Sequence, residues 1–72
     1  MDAAHERFAA NLRAQRIRLG LSQEALADLC DLHRTEISLL ERRKRSPRLD
    51  TIIGLSRGLQ LESVRELLDG VA

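Results

Sequence analysis

The sequence predicts an all-α protein, a compact domain of five short helices. Three observations predict this fold class. Apolar residues recur at spacings of three and four, never in the strict alternation that is typical of strands. β-Branched residues are few, and Phe8 is the only aromatic residue. Four glycines and one proline punctuate the chain sparsely, which leaves helical segments between short turns.

The first two helices are predicted from their apolar faces and end signals. The first is expected from about Ala3 to Leu19, with Phe8 and Leu12 facing inward and Gly20 ending it. The second is expected from Gln23 to about Cys30, because the Ser22 hydroxyl can accept an amide of its first turn. Its expected buried residues are Ala25 or Leu26, Leu29 and Cys30.

A third helix is expected from near His33 to about Arg43. Asp31-Leu32 predicts the tight turn before it, since aspartate tolerates left-handed backbone better than most residues. Ile37 and Leu40 are its predicted inward pair, at a spacing of three. Pro47 disfavours helical geometry in the residue before it, so the chain is expected to break there.

Two further helices complete the prediction. The fourth is expected from about Leu49 to Arg57, with Gly58 ending it. The fifth opens at Ser63, which has capping-box spacing to Glu66. With 72 residues, we expect a single domain over 1–72, with its C-terminal helices at about 48–70.

The charge is unevenly distributed although the net charge is only +1. Residues 1–48 carry a balance of +3 and residues 49–72 a balance of −2. Five basic residues crowd into positions 42–48: Arg42, Arg43, Lys44, Arg45 and Arg48. Such a cluster suits a surface that meets a polyanion on one side, and a solvated arginine-rich loop remains the alternative.

Several classes of protein and site are disfavoured. The single cysteine, Cys30, cannot form an intrachain disulfide and is expected in the core of a cytoplasmic protein. No signal peptide and no apolar run of about 20 residues is visible, so we expect no membrane association. No metal-ligand spacing, catalytic arrangement or phosphate-binding glycine loop is present, so we expect no enzyme, no metal and no cofactor.

Two short helices joined by a tight turn, the second with a polar outer face, predict a helix-turn-helix over about 22–43. Such a second helix fits the major groove of double-stranded DNA. Arg34 can donate to guanine, Thr35 can contact a base edge, and Ser38 is short enough for close approach. The residues expected at phosphates are Ser22 and Gln23 at the start of the second helix, and Arg42, Arg43, Lys44 and Arg45 beyond the third.

Glu36 lies beside the predicted base-reading residues, where its charge would repel phosphate. Two roles remain open for it. Its carboxylate could stabilise the first turn of the helix, or it could accept a hydrogen bond from cytosine N4.

The run from Arg16 to Pro47 resembles the helix-turn-helix domains of phage repressors and Cro proteins, the xenobiotic-response-element-like family. The residues that carry the resemblance are Arg16, Gly20-Leu21-Ser22-Gln23, Leu26-Ala27, Ile37-Ser38, Glu41-Arg42 and Pro47 followed by Leu49 and Thr51. Within this family, the segment HRTEIS is similar to the reading helix of restriction–modification controller proteins. The resemblance implies a lambda-repressor-like fold and a sequence-specific transcriptional regulator.

The resemblance also implies roles for single residues. It places Gln23 on a phosphate and on the first reading residue, and the backbone around 42–44 on the opposite DNA strand. Arg16 is expected to form a partly buried ion pair with Glu41, because an arginine on a largely apolar helix face needs a carboxylate. Leu39 stands where many relatives have a polar contact residue, so a thymine methyl, a partner or solvent could face it.

Two departures concern the backbone. Asp31 and Arg43 stand where the family usually has glycine. We expect mild strain at Asp31 and a stiffer or reshaped loop at Arg43.

An apolar stripe near the C-terminus predicts a homodimer on a near-palindromic operator. Its predicted interface residues are Leu59, Leu61, Val64, Leu68 and Val71. The alternative is that the stripe closes the monomer's own core. As a second function class, the chain could be a protein-interaction module such as an antitoxin, or the DNA-binding fragment of a larger regulator. No small-molecule effector site is evident.

Overall fold

The computed structural model describes residues 3–71, and within that range it contains five helices and no strand. The predicted all-α, five-helix fold is therefore confirmed. The predicted domain limits, residues 1 and 72, lie outside the described residues. The helices are α1 (Ala3–Arg18), α2 (Gln23–Cys30), α3 (Arg34–Glu41), α4 (Leu49–Gly58) and α5 (Arg65–Leu68).

The first four helices end in the same way, with one left-handed residue after the last turn. The left-handed residues are Gly20, Asp31, Arg43 and Gln60, with φ values from 56° to 70°. The next amide then donates to the carbonyl five residues earlier, as in Leu32 N to Ala27 O at 2.8 Å. After three of these turns the following leucine packs against the core: Leu21, Leu32 and Leu61. These three turns therefore direct the chain after the preceding helix back toward the core.

The core is built from apolar side chains of all five helices. Its buried members are Phe8, Ala9, Leu12, Leu26, Ala27, Ile37, Leu40, Leu55, Leu59 and Leu67. The expectation that Leu29 is buried is wrong, since 58% of it is exposed. Ala27 is buried on α2 instead, so the inner face of this helix is rotated from the predicted one.

Gly58 allows α4 to approach α2 closely. A Cβ atom at this position would lie 2.4 Å from the Cys30 sulfur. The Cys30 thiol is half-buried against the core, and this burial raises its pKa. The thiol therefore remains protonated at neutral pH and serves in packing.

The third and fifth helices are shorter than predicted. His33 precedes α3 as its N-cap, and its Nδ1 accepts from the Thr35 amide at 3.1 Å. The last helix comprises only Arg65–Leu68. Glu66 still reaches back to accept from the Ser63 amide at 3.3 Å, as the capping-box spacing predicts.

A polar contact holds the last helix in place. The side-chain amide of Asn11, on α1, donates to the carbonyl oxygens of Leu67 at 2.9 Å and Asp69 at 2.8 Å. These bonds satisfy carbonyls at the end of α5 that the short helix itself leaves unpaired. The C-terminal segment is therefore anchored to α1 and closes the core around Leu67.

Candidate nucleic-acid interface

Helices α2 and α3 form the predicted helix-turn-helix pair, joined by Asp31–His33. Ser22 caps α2, because its Oγ accepts from the Ala25 amide at 2.9 Å. Asp31 has φ 56° and ψ 42°, which turns the chain sharply after α2. Because Leu26, Ala27, Ile37 and Leu40 are all buried, the two helices are held together through one shared apolar face.

The outer face of α3 carries the predicted base-reading residues. Successive residues of a helix are separated by about 100° around its axis, so Thr35, Ser38 and Leu39 lie opposite the buried pair Ile37 and Leu40. Thr35 is exposed, and Ser38 and Leu39 are partly exposed. This face therefore lies outside the core. Its side chains are short enough for the helix to approach the floor of a DNA groove closely.

Arg34 opens α3 on one side of this face. Its guanidinium lies 3.8 Å from the carboxylate of Glu24 on α2, and both side chains are about two-thirds exposed, at 68% and 67%. Such an exposed pair contributes little to stability and exchanges readily with other partners. Arg34 is therefore available to a base edge.

Ser22 and Gln23 lie at the start of α2. The Ser22 hydroxyl uses one lone pair as the cap and keeps its proton for donation. The Gln23 side-chain amide donates to Glu41 Oε1 at 3.2 Å, which orients it at the N-terminal end of the helix. The positive end of the α2 dipole points in the same direction, so this end suits an anion.

The basic segment after α3 is a tight, exposed loop. Arg42, Arg43, Lys44 and Arg45 all have exposed side chains. The backbone amides of residues 42, 43 and 44 already donate to the carbonyls of Ser38, Leu40 and Leu39. These three amides are therefore already paired within the chain, and contact of this backbone with DNA stays a prediction. The exposed cationic side chains of this loop are the groups that can contact a phosphate.

Arg43 has a left-handed backbone, with φ 62°, which costs a non-glycine residue about 1–2 kcal/mol. We therefore predict that Arg43→Gly raises the free energy of unfolding by up to about 1 kcal/mol, while the loss of a cation weakens DNA binding. Thermal melting and duplex titration measure the two effects. Gln60→Gly, at φ 60°, is the matched control that relieves the same strain away from the loop. Lower stability of both variants would contradict the prediction.

An ion pair that the sequence analysis missed connects α3 to the basic loop. Arg45 Nη1 lies 2.6 Å from Glu36 Oε1, and the Glu36 side chain is only 21% exposed. Neither role considered for Glu36 included this partner. No sequence signal indicates the pair, because its residues are nine positions apart and belong to a helix and a loop.

Arg16 and Glu41 form a partly buried ion pair that ties α1 to the end of α3. Arg16 Nε and Nη2 donate to the two carboxylate oxygens at 2.7 and 3.0 Å, and Nη1 donates to the Leu21 carbonyl at 2.8 Å. Only 13% of the arginine side chain and 5% of the glutamate side chain are exposed. The hydrogen bonds to Glu41 raise the pKa of Arg16, against a smaller lowering by burial.

The predicted dimer residues divide into two groups. Leu59 is fully buried in the chain's own core, so its assignment to a contact surface is wrong. Leu61, Leu68 and Val71 pack against the core but remain partly exposed. Val64 is partly exposed without belonging to the core cluster. The apolar stripe therefore has two parts. Leu59 closes the chain's own core, whereas Val64 lies at an accessible edge.

Other kinds of site find little support between residues 3 and 71. No group of three or more histidine, cysteine, aspartate or glutamate side chains is placed to hold a metal ion within that range. An open cleft there is lined by polar and charged residues such as Gln15, Arg65 and Glu66. No helix between these limits has the length and apolar character that a membrane crossing requires.

Comparisons with known proteins agree with this geometry. A family model described as helix-turn-helix matches residues 12–67. The control protein C.SmaI of Serratia marcescens is 44% identical over 63 residues, which cover 88% of this chain and 74% of the relative. The control protein C.BamHI of Bacillus amyloliquefaciens is 45% identical over 60 residues, covering 79% and 73% of the two chains.

A solved structure extends the similarity to the whole fold. The restriction–modification controller protein C.AhdI from Aeromonas hydrophila superposes with a TM-score of 0.87 at 38% identity. The match covers 92% of this chain and 98% of that one. The similarity therefore covers most of this chain and nearly all of a controller protein of almost the same size.

Proposed function

The chain belongs to the helix-turn-helix family, and from that membership we propose that it is the controller protein of a restriction–modification system. As a member of this family, it is a DNA-binding transcriptional regulator. The single observation that carries the narrower proposal is the similarity over nearly the full chain to C.AhdI, a restriction–modification controller protein. The proposal includes no catalytic role.

The proposed mode of reading is direct contact between α3 and the major groove. Arg34, Thr35, Ser38 and Leu39 contact base edges, with Arg34 donating two hydrogen bonds to guanine O6 and N7. The support is the exposed outer face of α3, opposite a buried pair, and the loosely held Arg34 guanidinium. These residues specify the sequence, whereas residues at phosphates fix the register of the helix in the groove.

The proposed phosphate contacts come from Ser22 and Gln23 and from the exposed side chains of Arg42, Arg43, Lys44 and Arg45. Each cation that replaces a counterion contributes about 0.9 to the slope of log affinity against log salt. Four cations in each of two protomers therefore predict a slope of up to about −7. Anisotropy titrations at several salt concentrations measure it, and a slope near zero would contradict phosphate binding by this loop.

We propose that two chains assemble with two-fold symmetry, so that two α3 helices enter successive major grooves about 34 Å apart. The proposed contact edge contains Leu61, Val64, Leu68 and Val71, whose apolar side chains are partly exposed. A domain of this size buries a limited core, which favours additional burial between chains.

Val64→Glu is expected to dissociate this dimer, because a buried unpaired carboxylate in an apolar contact is costly. Sedimentation at micromolar concentration should give twice 8.1 kDa for the parent chain and 8.1 kDa for the variant. Ile17→Glu, at a residue that is 56% exposed on α1, is the control and should remain dimeric. A parent chain that sediments only as a monomer would remove the dimer from the proposal.

Selection from genomic DNA tests the controller assignment. Sheared DNA from the source organism is incubated with the protein, and the retained fragments are sequenced. Enrichment of fragments upstream of restriction–modification genes is the expected result. Enrichment of a sequence motif that lies upstream of unrelated genes would retain the regulator and refute the controller assignment.

A further inference from the structure

Helix α3 carries an acidic residue beside its predicted base-reading face. Glu36 lies in the first turn of α3, directly after Thr35. A carboxylate at this place repels phosphate unless its charge is balanced. It is balanced by Arg45, whose Nη1 lies 2.6 Å from Glu36 Oε1. The short distance indicates a charge-assisted hydrogen bond.

The helix geometry places this pair at one flank of the reading face. Glu36 is rotated about 100° from Thr35 and lies about 100° from the buried Ile37. The Glu36 side chain is 21% exposed, whereas the Arg45 side chain is 54% exposed. The carboxylate is therefore largely sheltered from solvent, whereas the guanidinium that it contacts is exposed.

The loop around Arg45 is held from a second side. Ser46 Oγ is in hydrogen-bond contact with Nε2 of His5 on α1. The segment that carries Arg45 is thus attached to α3 through Glu36, and to α1 through the contact of Ser46 with His5. This makes Arg45 different from Arg43, whose guanidinium lies 3.5 Å from the exposed Glu6 carboxylate and is held only loosely.

We propose that Glu36 is a positioning residue for DNA binding, which orients the Arg45 guanidinium at the flank of α3 to bind one phosphate at the edge of the major groove. The inference rests on the proposed function. An arginine has five donors in a planar fork, so one N–H can remain on Glu36 while others reach a phosphate oxygen. A pre-oriented guanidinium loses less side-chain freedom on binding, and it fixes the register of Arg34 and Thr35 against the bases.

Glu36→Gln distinguishes this role from simple electrostatic repulsion, because the two predict opposite changes in the affinity for the operator. Removing a negative charge from the DNA side strengthens binding to any duplex when repulsion is all that Glu36 contributes. Loss of positioning instead weakens binding to the operator by about tenfold, the effect expected for one charge-assisted hydrogen bond. The ratio of the affinity for the operator to the affinity for a scrambled duplex then decreases.

Glu6→Gln is the matched control, since it removes the same charge and also releases a loop arginine. We expect it to raise the affinity for operator and scrambled duplex alike. Arg45→Ala should weaken operator binding and reduce the salt slope by about 0.9 for each protomer engaged. If Glu36→Gln behaves as Glu6→Gln does, the positioning role is refuted.

The charge exchange Glu36→Arg/Arg45→Glu distinguishes positioning from folding. It restores an ion pair between helix and loop, so its melting temperature should return toward that of the parent chain. It also places a carboxylate where the phosphate binds, so operator binding should remain weak. Recovery of both properties would show that the pair is only structural and would overturn the inference. Absence of operator preference in the parent chain would instead indicate failure of the proposed function.

Discussion

Glu41→Ala is expected to lower the free energy of unfolding by about 3–5 kcal/mol, because it leaves Arg16 charged and largely buried. The guanidinium would keep only the Leu21 carbonyl among its present partners. A domain of this length has a total stability of about 4–11 kcal/mol, so the variant loses a large part of it. Because 1 kcal/mol shifts the midpoint of a small domain by about 4–8 °C, thermal melting should show a decrease of more than about 10 °C.

Two further variants test the cause of this loss. Glu24→Ala removes a carboxylate from an exposed pair with Arg34, and should change the stability by less than about 1 kcal/mol. Arg16→Met/Glu41→Leu removes both charges and should recover much of the loss, since no buried charge is left unpaired. If Glu41→Ala melts within a degree or two of the parent chain, the ion pair is not what holds α1 to α3.

Arg34→Ala/Thr35→Ala is expected to lower affinity for the operator by roughly 5- to 150-fold, the range for one bidentate arginine–guanine contact. Affinity for a scrambled duplex should change little, because base contacts contribute to discrimination and phosphate contacts to affinity for any sequence. Anisotropy titrations with both duplexes at one salt concentration measure the two effects.

Arg65→Ala is the control for the loss of charge. Arg65 is exposed on α5, in the acidic C-terminal part of the chain. It should leave the ratio of operator to scrambled affinity unchanged. Equal weakening of both duplexes by Arg34→Ala/Thr35→Ala would show that these residues provide charge alone, and would place sequence reading elsewhere.

Much of the fold could be predicted because its signals are local. Ser22 caps α2 and Asp31 turns the chain after it, as their side-chain chemistry predicts. The burial of Ile37 and Leu40 follows from their spacing. Leu29 could not be placed correctly, because the inner face of an eight-residue helix depends on its neighbours. The close approach of α4 at Gly58 belongs to that tertiary context.

The sequence indicates candidate residues for the site, but it does not indicate how the loop and the helix are connected. The end of α3 at Glu41 instead of Arg43 depends on a left-handed arginine, a conformation that sequence patterns associate with glycine. The Glu36–Arg45 pair required the path of that loop. Leu59 has the spacing of a surface stripe, but it is fully buried in the core, and only the three-dimensional arrangement reveals this burial.

Selection from a randomised duplex pool, with the parent chain and Arg34→Ala/Thr35→Ala in parallel, tests the central claim most directly. The claim is that the chain reads double-stranded DNA through the outer face of α3. We predict that the parent enriches a two-fold-symmetric motif with half-sites about one helical turn apart, and that the variant loses or relaxes it. Absence of any enriched motif at low salt would contradict sequence reading, and the same motif with both proteins would contradict the role of Arg34 and Thr35.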